Sequence, residues 1–122
     1  MTDRIPLPMT QSPEGMEISQ NGNYLFVTDT VNRQLLKIDA ENGTSLGQVN
    51  IGHEPSQPYW FEHNGLARLA IISRGDQQLH LVSADTLATI AEVTAGQQPY
   101  EAVYADGSLF VSDRFDYQVR NL

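Results

Sequence analysis

The chain has 122 residues with seven basic and fifteen acidic side chains, a formal net charge of −8, and no cysteine. This length suits one domain with a packed core. The acidic excess argues against nucleic acid and anionic lipid as partners, and the lack of cysteine excludes disulfides and thiolate metal sites. There is no run of eighteen apolar residues and no apolar secretory segment after Met1, so we expect no membrane span and a cytoplasmic location.

Short apolar runs, separated by Gly, Asn, Asp and Pro, follow one another along the chain. Runs of this length are typical of β-strands, and no segment has a convincing helical period. The first strands are predicted over 3–9, 14–19, 23–28, 34–39 and 44–51. The next are predicted over 59–62, 66–73, 78–83 and 86–94, and the last over 100–104, 108–112 and 117–121.

A unit of about forty residues recurs almost three times, over approximately 12–53, 54–96 and 97–122. The prolines Pro13, Pro58 and Pro99 are 45 and 41 positions apart, and each is expected to mark the same position in its unit. Turn pairs such as Asn21-Gly22 and Asn64-Gly65 recur at nearly the same period, as tight hairpins require. Four short antiparallel strands per forty residues predict the blades of a β-propeller.

The sequence pattern of the units resembles the NHL repeat and the related YVTN propeller repeat. Residues 27–39 hold an apolar run with Thr28-Asp29, then Asn32-Arg33, then a second apolar run, which resembles the second-to-third strand segment of NHL repeats. Residues 13–18 resemble the opening strand, and residues 111–119 repeat the hallmark segment. The second unit differs from the NHL pattern, because Ser73-Arg74-Gly75-Asp76 stands where the first unit has Asp29 and the residues after it. The resemblance implies an all-β fold with three four-stranded blades per chain.

Three blades do not close a ring, because propellers use at least about four. Two copies related by a twofold axis give six blades, the number typical of the NHL family. Segment 3–9 would then act as a permuted outer strand that completes the partner's last blade. We therefore expect a homodimer. The alternative is a half-propeller fragment of a longer chain, or a designed or evolutionary assembly module with no ligand.

Three glutamates fall on the predicted innermost strands, which surround the channel of a propeller. Glu17 and Glu62 come four residues after their prolines, and Glu101 comes two residues after its own. A ring of carboxylates favours cations or basic groups, so a divalent cation such as calcium is one candidate ligand. Close carboxylates raise each other's pKa unless a cation relieves them.

Three arginines lie in the loops that join second to third strands and are candidate partners for these carboxylates: Arg33, Arg74 and Arg114. They would serve either as ties between neighbouring blades or as ligand-binding groups. Aromatic residues cluster near the same repeat positions, namely Tyr59, Trp60, Tyr100, Phe115 and Tyr117. Tyr59 and Tyr100 suit recognition of peptides or small ligands, whereas Trp60 and Phe61 are expected to pack between blades.

Catalytic motifs are sparse in this sequence. His53, His63 and His80 lie in different predicted strands or loops, and none has a second ligand at metal-binding spacing. No phosphate loop or nucleophile elbow is present, and no catalytic residue is predicted. We therefore expect a non-catalytic scaffold that binds a ligand, a peptide or a protein, without a required cofactor. A metal-dependent lyase or hydrolase with an acidic channel is the alternative.

Overall fold

The computed structural model of the chain describes residues 12–114 and 118–121. This part of the chain is all-β, with no helix and hence none that is long and apolar enough to cross a membrane. The first four strands are β1 (Pro13–Ile18), β2 (Tyr24–Asp29), β3 (Gln34–Asp39) and β4 (Ser45–Asn50). The next four are β5 (Tyr59–His63), β6 (Leu66–Ser73), β7 (Gln78–Ser83) and β8 (Thr89–Thr94). The last are β9 (Pro99–Ala105), β10 (Ser108–Asp113) and β11 (Gln118–Asn121).

The strands form three antiparallel sheets in chain order, and each predicted strand within the described residues is present. The first sheet is β1-β2-β3-β4, the second is β5-β6-β7-β8, and the third is β9-β10-β11. The strand predicted over 86–94 begins late, because Leu87 adopts a φ of 64° and its N–H closes a turn onto the carbonyl of Ser83 at 2.9 Å. The strand predicted over 3–9 lies outside the described residues.

Alternating side chains of each sheet fill the spaces between neighbouring sheets. Phe26 and Leu35 of the first sheet pack with Leu69 and Ile71 of the second, and all four are almost completely buried. The opposite face of the second sheet packs on the third in the same way, through Ala70, Phe61, Ile72, Leu79 and Val111. The predicted packing role of Trp60 and Phe61 is confirmed, because each belongs to one of these interfaces. The second sheet therefore lies between the first and the third, with an apolar interface on each of its faces.

A buried polar side chain ends the second strand of each sheet: Asp29, Ser73 and Asp113, which are 0, 0 and 2% exposed. Each accepts hydrogen bonds from the loop that leads into the innermost strand of its sheet. The donors are the backbone nitrogens of Ser12 to Asp29 (3.2 Å), of Gly52 to Ser73 (2.9 Å), and of Gln97 and Gln98 to Asp113 (3.1 and 3.2 Å). These bonds fix where β1, β5 and β9 begin.

The innermost strands β1, β5 and β9 lie side by side across the three sheets. Gly15 of β1 faces Gln57 so closely that a Cβ atom on Gly15 would clash with the Gln57 Cα. The Gln57 side chain donates to the carbonyl of Met16 at 2.9 Å. Between the next two inner strands, the backbone N–H of Tyr104 donates to the hydroxyl of Tyr59 at 3.2 Å. Side chains thus join the inner strands where no ladder does.

We predict that Asp29→Ala lowers the free energy of unfolding by about 2 to 3 kcal/mol, because it removes a fully buried carboxylate that accepts several hydrogen bonds. The side chain accepts from Ser12, Val31 and Asn32. The matched control is Asp39→Ala, which removes two bonds in a hairpin whose donors, Glu41 and Asn42, are exposed to water. Urea unfolding should show a loss of about 1 kcal/mol or less for that control. Equal losses in the two variants would contradict the capping role of Asp29.

Candidate ligand-binding site

A cleft of about 450 Å³ runs across the inner strands of all three sheets. Five of the residues singled out in the sequence line it: Glu17, Tyr59, Arg74, Tyr100 and Glu101. Glu14 and Gln57 line it as well. The lining thus combines carboxylates, one guanidinium and two phenol rings in one concave surface, the composition expected of a site for a polar ligand.

Two arginines contact one aromatic ring at this cleft. The guanidinium carbons of Arg74 and Arg114 lie 4.2 and 4.4 Å from the centroid of the Tyr100 ring. Nη2 of Arg74 also donates to the backbone carbonyl of Tyr100 at 3.0 Å. Cations are attracted to the face of an aromatic ring. The ring therefore holds both guanidinium groups in place at the start of β9.

Glu17 is held by backbone donors. Its carboxylate oxygens accept from the N–H groups of Ile18 at 3.0 Å and Trp60 at 3.4 Å, so it links β1 to β5. The side chain of Glu101 is exposed, and its backbone N–H donates to the hydroxyl of Ser112 at 3.1 Å. Within the described residues, no arginine forms an ion pair with these carboxylates. Arg74 and Arg114 contact Tyr100 instead of these glutamates, whereas Arg33 contacts His53.

Glu62 lies outside the cleft, in a separate depression beside the β5–β6 hairpin. The sequence predicted that Glu62 and Glu17 occupy equivalent positions in their blades, because each follows a proline by four residues. The strand register is different: Pro13 pairs with Asp29 and Pro99 with Asp113, but the bridge to Ser73 is made by Pro55 rather than Pro58. Aligning the units on Pro58 was wrong, because the residues between 55 and 58 form a loop ahead of β5.

Arg33 also lies away from the cleft, in a chain of side chains with His53 and Asp76. Nη1 of Arg33 is 2.7 Å from Nε2 of His53, and Nδ1 of His53 is 3.0 Å from Oδ1 of Asp76. Arginine only donates, so Nε2 accepts and Nδ1 carries the proton that is donated to the carboxylate. Both ring nitrogens are thereby engaged. The sequence analysis missed this group, because nothing local relates residues 33, 53 and 76.

The hydrogen bonds from His53 lower the pKa of the Asp76 carboxyl below its ordinary value. The backbone N–H of His53 donates to Oδ2 at 2.7 Å and contributes most, followed by the imidazole, and both favour the ionised form. A Cβ atom on Gly52 would clash with Oδ2 of Asp76, and one on Gly75 would lie 2.8 Å from the Cβ of His53. The two glycines allow this close approach.

The other two histidines lie within the sheets. His63 ends β5, with Nδ1 2.8 Å from the hydroxyl of Tyr104. His80 in β7 is 5% exposed and has Nδ1 3.5 Å from a carboxylate oxygen of Glu92. No group of three or more metal-ligating side chains occurs among residues 12–114 and 118–121. Phe115 and Tyr117, which the sequence placed near the cleft, lie outside the described residues.

Solved structures with this arrangement of sheets identify the fold. The chain is similar to the hydrazine synthase of Kuenenia stuttgartiensis, with 17% identity and a TM-score of 0.70 over 99% of this chain and 37% of that chain. It is also similar to dihydro-heme d1 dehydrogenase NirN in complex with DHE, with 15% identity and a TM-score of 0.64 over 90% of this chain and 28% of that one. These are β-propeller-type proteins. The fold is a β-propeller.

A putative 6-phosphogluconolactonase from Bacteroides uniformis matches as well, with 19% identity and a TM-score of 0.59 over 89% of this chain and 39% of that chain. The chain spans less than two fifths of each of these three proteins. No family model and no curated protein match the chain. The three sheets are propeller blades, and the cleft lies over their innermost strands.

The lowered pKa of Asp76 predicts how its contribution to stability depends on pH. A depressed pKa in the folded protein means that the ionised carboxylate contributes stability above its ordinary pKa of 3.8. This contribution is lost as the pH falls through the folded-state value. We expect urea unfolding to show the wild type more stable than Asp76→Asn near neutral pH, with the difference shrinking below about pH 4. A difference that stays constant down to about pH 2 would show that the bonds from His53 do not favour the ionised form.

Proposed function

We propose that the protein is a non-catalytic β-propeller scaffold that binds a peptide segment in the inner-strand cleft. The observation that supports this most directly is the cleft formed by the inner strands of three blades, which Tyr59 and Tyr100 line beside charged groups. Aromatic rings with a polar end bind peptides at low entropic cost, because they have few rotatable bonds. We also propose that the blades are of the NHL type, given the matching positions of Asp29 and Asp113 at the ends of β2 and β10.

The chemistry of the cleft favours binding over catalysis. None of its lining residues is a histidine, and Glu17, the best-positioned carboxylate, accepts two backbone N–H groups. A general base needs a position from which it reaches a proton of the substrate. His53, which contacts the Asp76 carboxylate, has Arg33 at its remaining nitrogen, and His80, which contacts Glu92, is buried in β7.

We predict that Tyr100→Ala weakens peptide binding by about tenfold or more, since it removes a ring and disturbs both arginine contacts. Peptides would be selected from a random display library on the immobilised protein and measured by fluorescence anisotropy. The control is Leu46→Ala, which truncates an exposed side chain on β4, away from the cleft.

Two results would contradict the peptide scaffold. One is a set of selected peptides that bind Tyr100→Ala and wild type equally. The other is stoichiometric calcium binding that is lost in Glu17→Gln, which would favour the metal-dependent enzyme.

We further propose that the scaffold associates with a second copy of itself through the two outer faces of its three blades. Phe110 pairs with Val103 in the third sheet at the ladder position that Phe26 and Glu17 occupy in the first. Phe26 packs against the next blade, 5.9 Å from Trp60. By the same register, Phe110 and the 51% exposed Val103 face the position of a following blade.

The other end of the arc carries the complementary side of this interface. Ile18 pairs with Leu25 as Trp60 pairs with Leu69 and Tyr104 with Leu109. Trp60 and Tyr104 both contact the preceding blade, whereas Ile18 is 50% exposed. Val27, Leu36 and Ile38 of the same face are buried within the chain, so a second copy would pack along Ile18. Two such junctions between a first and a third blade give six blades.

Light scattering should then give twice the chain mass of 13.6 kDa, and Val103→Lys should give the monomer, because it buries an unpaired charge at the junction. Leu66→Lys, at a similarly exposed position on β6 of the middle blade, should leave the dimer intact. A wild-type monomer at micromolar concentration would contradict self-association and favour a following blade from a longer chain.

A further inference from the structure

Two guanidinium groups contact one aromatic ring that lines the cleft. The guanidinium groups of Arg74 and Arg114 are both within 4.4 Å of the Tyr100 ring centroid. Neither forms an ion pair with any side chain in the part of the chain that the structure describes. The aromatic ring attracts them without cancelling their charge. Two like charges on one ring repel each other, and an anion beside them relieves that repulsion.

The guanidinium group of Arg74 is held in a fixed orientation. Its Nη2 donates to the carbonyl of Tyr100, which fixes the plane of the guanidinium group. Its Nε is inaccessible to solvent and has no acceptor among the described residues. A buried donor without an acceptor is costly. Of the acidic side chains within residues 12–114 and 118–121 of this chain of net charge −8, none forms an ion pair with Arg74 or Arg114.

We propose that Arg74, Tyr100 and Arg114 form a clamp that binds a carboxylate of the peptide ligand. This inference rests on the proposed function of the cleft as a peptide site and names the group recognised there. The planar fork of arginine matches a carboxylate with two parallel hydrogen bonds.

The acidic residues of the same cleft favour a carboxylate over a phosphate. Glu14, Glu17 and Glu101 also line it. A phosphate carries up to two negative charges and would be repelled more strongly by these carboxylates than a singly charged carboxylate. The same three glutamates favour a basic group elsewhere on the ligand. The clamp and the glutamates together select a short peptide that carries one carboxylate and one ammonium group.

The test uses nuclear magnetic resonance of the full chain, observing the Nε–H signals of Arg74 and Arg114 during titration with three peptides. The first, acetyl-Lys-Ala-Ala, carries a C-terminal carboxylate. The second, acetyl-Lys-Ala-Glu-amide, carries a side-chain carboxylate. The third, acetyl-Lys-Ala-Ala-amide, carries none. These probes separate the two sources of the carboxylate from binding by the lysine alone.

We expect a saturable shift of both Nε–H signals with at least one carboxylate peptide. The amide peptide should bind about tenfold more weakly, as expected for the loss of a charge-assisted pair. The peptide that binds more tightly identifies which carboxylate the clamp prefers. Arg114→Gln should reduce the affinity for that peptide to the level of the amide, with partial recovery in Arg114→Lys. The matched control is Arg33→Gln, which lies in the equivalent loop of the first blade but contacts His53.

Equal binding of all three peptides, with shifts in the backbone signals of Tyr59 and Gln57, would overturn the clamp and leave the peptide cleft standing. Absence of any saturable shift with every peptide would overturn both. Equal weakening of peptide binding by Arg33→Gln and Arg114→Gln would also overturn the clamp, because the effect would then come from the loss of one positive charge anywhere on the protein. Displacement of the bound carboxylate peptide by equimolar inorganic phosphate would overturn the preference for a carboxylate.

Discussion

The buried polar side chain at the end of each second strand is the constraint on which the rest of this structure depends. A carboxylate among packed apolar faces is tolerated only when its oxygens are hydrogen-bonded. Asp29 and Asp113 meet this requirement by holding the loops that lead into β1 and β9. Because these hydrogen bonds hold the loops against the ends of the second strands, they fix the residues at which the inner strands begin. The positions of the inner strands in turn determine the shape of the cleft.

In the second blade, different residues hold the loop that leads into the innermost strand. Ser73 is too short to reach several donors and accepts from Gly52 alone among the loop's backbone N–H groups. Asp76, three residues later, accepts from the N–H of His53 and from its imidazole. The change moves the acceptor from the buried end of the strand to an exposed turn. Consequently the bonds that hold this loop depend on a partly solvated carboxylate, whose ionisation responds to acid.

The buried polar residues at the ends of the second strands also set the positions of Arg74 and Arg114, which directly follow two of them. Arg74 follows Ser73 and Arg114 follows Asp113, and the residue at the same position in the first blade is Thr30. Only the third blade places a tyrosine, Tyr100, where both guanidinium groups reach its ring. The repeat thus supplies equivalent backbone positions, while differences between blades decide which side chains line the cleft.

The sequence by itself determined the repeat period, the all-β class and nearly every strand, because alternation and hairpin turns act over a few residues. It also singled out five residues that share the cleft. The tertiary structure alone decided that Pro55 rather than Pro58 is equivalent to Pro13, that Glu62 lies elsewhere, and which partners the arginines contact. Arg33 and His53 are 20 positions apart, and Arg74 and Tyr100 are 26 apart. Such contacts depend on how neighbouring blades stack and on loop residues outside the strand register, and no local pattern encodes either.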